Sequence, residues 1–210
     1  DTKNRESLSD DGEPQCIRAL PPSHAKNIQK IQRVFHPPAS KEIGMKKRVL
    51  FASLAAYPLF NRKIHEPFCG AELDLYTIAT HLDTSKFDVH FLVADYGQPL
   101  KETYSGITVH RGQKISNSGM LRGILNFLRI FLVVWRVRPD SIFSEATGWL
   151  TVELILLKTL FRKKFIFRSA HENNINGFTD TRPYGKLYRR FMPHIDHFLL
   201  QNNQDISILQ

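Results

Sequence analysis

The segment Lys47–Leu54 (KRVLFASL) is an apolar run of strand length, without the alternation of a strand that has one wet face. That pattern predicts a strand covered on both sides, as in a parallel sheet. A long loop with Pro58, Pro67 and Gly70 follows. Ala71, Leu75, Ile78, Ala79 and Leu82 then recur at i, i+4, i+7, i+8 and i+11, one stripe of a helix. Phe87–Ala94 (FDVHFLVA) predicts a second strand and Ile107–His110 a short third, with 95–106 as the loop between them.

The alternation continues to the end of the chain. Met120–Val137 reads as a long helix stopped by Pro139, Ser141–Ser144 as a strand and Trp149–Phe161 as another helix. Lys164–Ser169 (KFIFRS) is a fifth strand, Pro183–Phe191 a helix with proline in its first turn, and Asp196–Leu200 a sixth strand. Strands alternating with helices predict an α/β fold, a Rossmann-like three-layer α/β/α parallel sheet. Residues 1–44 lack this order. They are polar, with Pro-Pro at 21–22 and 37–38, and their one periodic piece places Ile28, Ile31 and Phe35 on a short helical face. The expected organisation is therefore a polar tail or linker over 1–44 and a domain over 45–210, with Met45 as its natural first residue.

Composition narrows the setting. The first 20 residues have no apolar core of a signal peptide, and the longest strongly apolar stretch, Ile130–Trp135, is six residues long. A spanning helix needs about 20. Cys16 and Cys69 are too few for a disulfide scaffold, and a cytoplasmic location is expected. The formal charge is +9, of which the segment 45–210 holds +8. Such an excess suggests an anionic partner. Arg122, Arg129 and Arg136 recur every seven residues along the long helix, with Leu121, Leu125, Leu128, Leu132 and Trp135 on its other side. This is either an ordinary solvated face or one that meets an anionic membrane, where each cation contributes about 1 kcal/mol. Nucleic acid is not expected, because no helix-turn-helix, zinc finger or interleaved aromatics accompany the charge.

In open parallel sheets, ligands bind at the carboxyl ends of the strands. Neither GxGxxG nor GxxxxGK[ST] is present, which removes support for dinucleotide and ATP binding. The loop after the first strand ends in Gly70-Ala71-Glu72 at a helix start, whose free N–H groups and partial positive charge suit a phosphate. The same tripeptide is also an ordinary helix start. His171 follows the fifth strand among Glu172, Asn173 and Asn174, a position from which an imidazole can exchange a proton near neutral pH. It would equally satisfy loop carbonyls. His194 and His197 lack a third ligand, so no metal is expected.

The order KKRVLFAS…P…CGAELDLYTIATHL…FDVHFLV…GITVHR resembles the N-terminal domain of retaining GT-B glycosyltransferases, those of glycosyltransferase family 4. The likeness runs from about Lys46 to Asn202. Gly70, Ala71 and Glu72 match the family's Gly-Gly-Ala-Glu element, and Cys69 stands where its first glycine usually is. The resemblance implies the N-terminal half of a GT-B fold, an acceptor-binding domain. The partners it implies are a nucleotide-sugar donor and a glycan or lipid-linked acceptor, without cofactor or metal. It implies that Gly70 and Ala71 face the donor phosphates and that His171 is catalytic at the reacting sugar. Arg62, Glu145 and Asn173 are placed on the acceptor side by strand-end geometry. Arg122, Arg129 and Arg136 would face the membrane. In the family a second domain binds the donor nucleotide and carries an EX7E carboxylate pair. No second domain fits within these 210 residues, so the chain alone is expected to be inactive. The rival expectations are a non-catalytic α/β module docking on an anionic membrane or a partner, and a nucleotide-binding regulator.

Overall fold

The structure, a computed structural model, describes residues 45–114, 120–145, 148–169 and 182–199. All belong to the unit Glu42–Gln210. Its strands are β1 (Lys47–Ala52), β2 (Phe87–Val93), β3 (Lys101–Tyr104), β4 (Ile107–Arg111), β5 (Ser141–Ser144), β6 (Lys164–Arg168) and β7 (His197–Leu199). Its α-helices are α1 (Tyr57–Phe60), α2 (Gly70–Thr80), α3 (Met120–Val137), α4 (Trp149–Phe161) and α5 (Gly185–Phe191).

The seven strands form one sheet in the order β3-β4-β2-β1-β5-β6-β7. Every neighbouring pair is parallel except β3 and β4. The expected Rossmann-like α/β fold is therefore present. It differs at one edge, where the stretch expected as a loop contains the antiparallel strand β3. Its sequence, KETY, offers no apolar run, because a short edge strand needs little burial. The turn that joins it to β4 carries the signal instead. Ser105 and Gly106 both have positive φ, 47° and 85°, as a two-residue hairpin turn requires.

The chain steps outward from β1 to β2 and β4, then crosses back to β5 on the other side of β1. The connection between β4 and β5 thus reverses direction, and the crevice at the carboxyl ends of β1 and β5 is the topological switch point. Paired residues fix the two faces of the sheet. Phe51 lies beside Phe91 and Phe143 on one face, where Leu75 and Ile78 of α2 are also buried. Leu50, Leu92 and Ile142 lie on the other, in one core cluster with Ile130, Val134, Leu154 and Tyr188 of α3–α5. Aromatic packing dominates the first face, with Phe51 5.3 Å from Phe143 and Phe60 5.0 Å from Phe91 between ring centres.

Helix α3 ends as its sequence predicts, but it does not bury its leucine stripe. Ile130, Val133, Val134 and Val137 point into the core, while Leu121, Leu125, Leu128, Leu132 and Trp135 are exposed. The β-branched residues, four of the last eight, make the tighter fit against the sheet. Its exposed side therefore carries both leucines and arginines.

Candidate functional site at the strand ends

The switch point is closed from below by Ser144, whose hydroxyl donates to the Ala52 carbonyl at 3.2 Å. Immediately beyond it stands Glu145, 4% exposed. The alternation of β5 and β6 directs Glu145 and Arg168 to the face covered by α2. There the Arg168 guanidinium donates to Glu145 at 3.0 Å and, through its other terminal nitrogen, to Asp74 of α2. One cation thus serves two carboxylates. Burial pushes the Glu145 carboxyl up to about 8, against the pull of Arg168 and with help from the charges of Glu72 and Asp74. Its Oε1 is buried without a hydrogen-bond partner among the described residues. At neutral pH this carboxyl holds its proton for much of the time, so the site offers a donor as well as acceptors.

The start of α2 forms a second wall. Cys69 acts as its N-cap: the thiol accepts from the Glu72 amide, and the Glu72 carboxylate accepts from the Cys69 amide at 2.9 Å and the thiol at 2.7 Å. This is a capping box in which cysteine replaces serine or threonine. The helix begins at Gly70, one residue earlier than the stripe suggests. Gly70 and Ala71 sit in its first turn, where amides have no intrahelical acceptor. A Cβ at Gly70 would meet nothing within 4 Å, so open space adjoins these amides. The Glu72 carboxylate lies in the same turn, and it opposes a second negative charge there. The capping bond to Glu72 and partial burial also raise the Cys69 thiol above its ordinary value, which keeps it protonated.

Of the residues singled out in the sequence, Glu145, Gly70 and Ala71 lie at the strand-end and helix-start positions expected of them. Arg62 is exposed in the turn after α1, with no carboxylate in ion-pair range among the described residues. His171 and Asn173 lie outside the described residues. Arg122, Arg129 and Arg136 lie on α3, exposed, and Arg129 is 3.6 Å from Asp95. Asp74 and Arg168 were not expected. Arg168 closes an apolar strand (KFIFR), and a cation at the carboxyl end of a buried strand is the signal that could have found it. Asp74 is polar within a helix, which sequence alone does not distinguish from solvated surface. No group of three or more His, Cys, Asp or Glu that could hold a metal ion occurs among the described residues. Nor does any described helix have the length and apolarity to cross a membrane.

Fold and site together define a Rossmann-like α/β domain with a buried carboxylate–guanidinium cluster at its switch point. No protein-family model and no curated protein matches the chain. Among solved structures, it is similar to UDP-GlcNAc 2-epimerase from Methanocaldococcus jannaschii, at 10% identity and a TM-score of 0.45. That match covers 79% of this chain and 42% of the epimerase chain, so the chain spans less than half of its length.

Proposed function

We propose that residues 45–210 are the acceptor-side domain of a retaining glycosyltransferase, which moves a sugar from a nucleotide-sugar donor to a hydroxyl of a glycan or lipid-linked acceptor. The observation that carries this reading is Glu145. A buried carboxyl with a value of about 8, one oxygen held by Arg168 and the other unpartnered among the described residues, suits a neutral polyhydroxyl ligand. Sugar hydroxyls both give and take hydrogen bonds, and a carboxyl near its titration point can answer either way. It can also accept a proton from a hydroxyl that attacks. The resemblance of Lys46–Asn202 to the acceptor-binding half of GT-B enzymes supports the same reading. Within it, Gly70 and Ala71 face the donor phosphates, His171 the reacting sugar, and Arg62 and Asn173 the acceptor side. The donor nucleotide and the paired carboxylates belong to a second domain, and no metal or cofactor takes part.

The test is donor consumption by the gene product extended through whatever sequence follows Gln210. One of a panel of UDP-, GDP-, ADP- and dTDP-sugars should be consumed with release of its nucleoside diphosphate. Glu145→Gln should lower kcat/KM by about 10²-fold, the range of a lost acid–base group, with unchanged circular dichroism. Failure of every donor, or full turnover in Glu145→Gln, overturns the proposal.

A second reading is a non-catalytic module that docks on an anionic membrane. It is favoured by α3, whose exposed Leu121, Leu125, Leu128 and Trp135 accompany Arg122, Arg129 and Arg136 on one side of the helix. Apolar residues flanked by arginines are the composition of an interfacial helix.

A further inference from the structure

A second concentration of charge lies on the sheet face opposite Glu145. Register places Arg48 of β1, Asp88 and His90 of β2, His110 of β4 and Lys101 of β3 on that face. Helix α3 covers Leu50 and Leu92 beside them and leaves a groove of about 440 Å³ along its flank. Arg129 and Arg136 form the helix side of this groove, Lys101 and Arg111 the hairpin side, and Arg48 one end. Leu100, Leu132 and Val133 supply its apolar surface.

The charges do not cancel. Among the described residues, Asp88 is the one carboxylate lining the groove, and it lies 3.9 Å from Arg48 and 3.2 Å from His90. Asp95, just outside, lies 3.9 Å from Arg111 and 3.6 Å from Arg129. Lys101 and Arg136 have no carboxylate in ion-pair range among the described residues, although both line the groove. Beneath them His90 and His110 share one hydrogen bond, Nδ1 to Nε2 at 3.0 Å. A bond between two imidazoles needs one ring nitrogen unprotonated, so the pair supplies polar contacts without becoming doubly charged. Arg129 and Arg136 are about 10 Å apart along the helix axis, at 1.5 Å per residue, which leaves room for a phosphoryl group with an organic part attached.

We infer that this groove binds an organic phosphate, its phosphoryl oxygens against Lys101 and Arg136 and its organic part against Leu100, Leu132 and Val133. The site is independent of the proposed glycosyl transfer. It lies on the other face of the sheet, and its Arg48 stands near the amino end of β1, whereas Glu145 follows the carboxyl end of β5. A soluble ester and a lipid headgroup share the chemistry, so the test uses both. Inorganic pyrophosphate titrated into the protein should shift the imidazole NMR signals of His90 and His110. The double variant Lys101→Gln/Arg136→Gln should weaken binding at least tenfold, while Arg122→Gln, on the same helix but outside the groove, should change it less than twofold. Lys101→Arg should retain binding, and matching thermal midpoints would show that all variants fold. Vesicles of phosphatidylcholine with phosphatidic acid form the second arm. If the double variant loses pyrophosphate alone, the ligand is a soluble ester; if it also releases the vesicles, it is a headgroup. The inference is overturned if neither probe binds, if Arg122→Gln weakens binding as much as the double variant, or if the imidazole signals do not move.

Discussion

At Glu145, burial and charge act in opposite directions, and burial prevails. The sign of the consequence follows from linkage. The folded carboxyl titrates at about 8 against an ordinary 4.5, so the folded protein binds the additional proton between those values. Stability from this group is complete below pH 4.5 and is lost as the pH rises through 8. Glu153, pushed by burial to about 7, acts in the same direction. His110, held by burial at about 4, and His90, lowered for the same reason, act oppositely, and their effect is confined to pH below 6.5. Urea midpoints should therefore fall between pH 6.5 and 8.5, and Glu145→Gln should flatten that slope. An unchanged slope would show that the carboxyl is ionised throughout. Arg168 is the converse case. Its removal takes away the hydrogen bonds to Glu145 and Asp74, and Arg168→Ala should cost about 1.5–3 kcal/mol, the range for hydrogen bonds to charged groups. Urea denaturation near pH 7 would measure it, and a loss below 1 kcal/mol would mean that water replaces the guanidinium.

At the scale of the element, the sequence predicts existence and type well and misleads about faces. The apolar runs of β1, β2, β5 and β6 are legible because strands buried on both sides tolerate little polarity. The edge strand β3 is not, since Lys101 and Thr103 face solvent and Glu102 and Tyr104 meet the core only at Tyr57 and Phe60. The Tyr104 hydroxyl donates to Glu102 at 2.6 Å, and Tyr57 of α1 donates to the same carboxylate at 3.0 Å. Helix α3 shows the other failure. Its apolar residues cover most of its circumference, so periodicity cannot tell which of them meets the sheet. Ends are also informative. Arg162 closes α4 in the left-handed region, φ 52°, with the Lys163 amide donating to the Lys158 carbonyl at 2.8 Å. Glycine is the residue this conformation favours. Arg162→Gly should raise stability by about 1 kcal/mol, read as a higher urea midpoint at unchanged slope; a lower midpoint would assign the arginine side chain a stabilising contact.

For the molecule as a whole, the strand order carries function further than any single motif does. Six of the seven described strands are legible in the sequence, and Glu145 directly follows one of them, so its strand-end position is legible too, whereas the switch point depends on the order of the strands in the sheet. The Asp74–Arg168 link was not legible, because it joins residues 94 positions apart and depends on which face each side chain takes. Charge distribution, too, appears only in three dimensions, where Arg129 and Arg136 meet Lys101 and Arg48 across a groove. If α3 instead docks on a membrane, the reversal Arg122→Glu/Arg129→Glu/Arg136→Glu should abolish binding to anionic vesicles. The native chain should lose that binding as salt rises and screens the attraction. Sedimentation with vesicles would measure both, and binding by the triple variant would remove the membrane reading.

The seam between β1 and β5 has a kinetic consequence. Strand β1 lies beside β2 early in the chain, but its other neighbour arrives only with β5. The Arg48 amide to Asp140 and Ser144 to Ala52 each span 92 residues. Loops that long are costly to close before their contacts repay them. The half-sheet β1–β4 can assemble from nearer partners, and the strand-end crevice takes shape only when the chain returns. Bonds across the seam should then contribute little to the folding barrier and much to the unfolding one, so the same closure that completes the site sets how long it lasts.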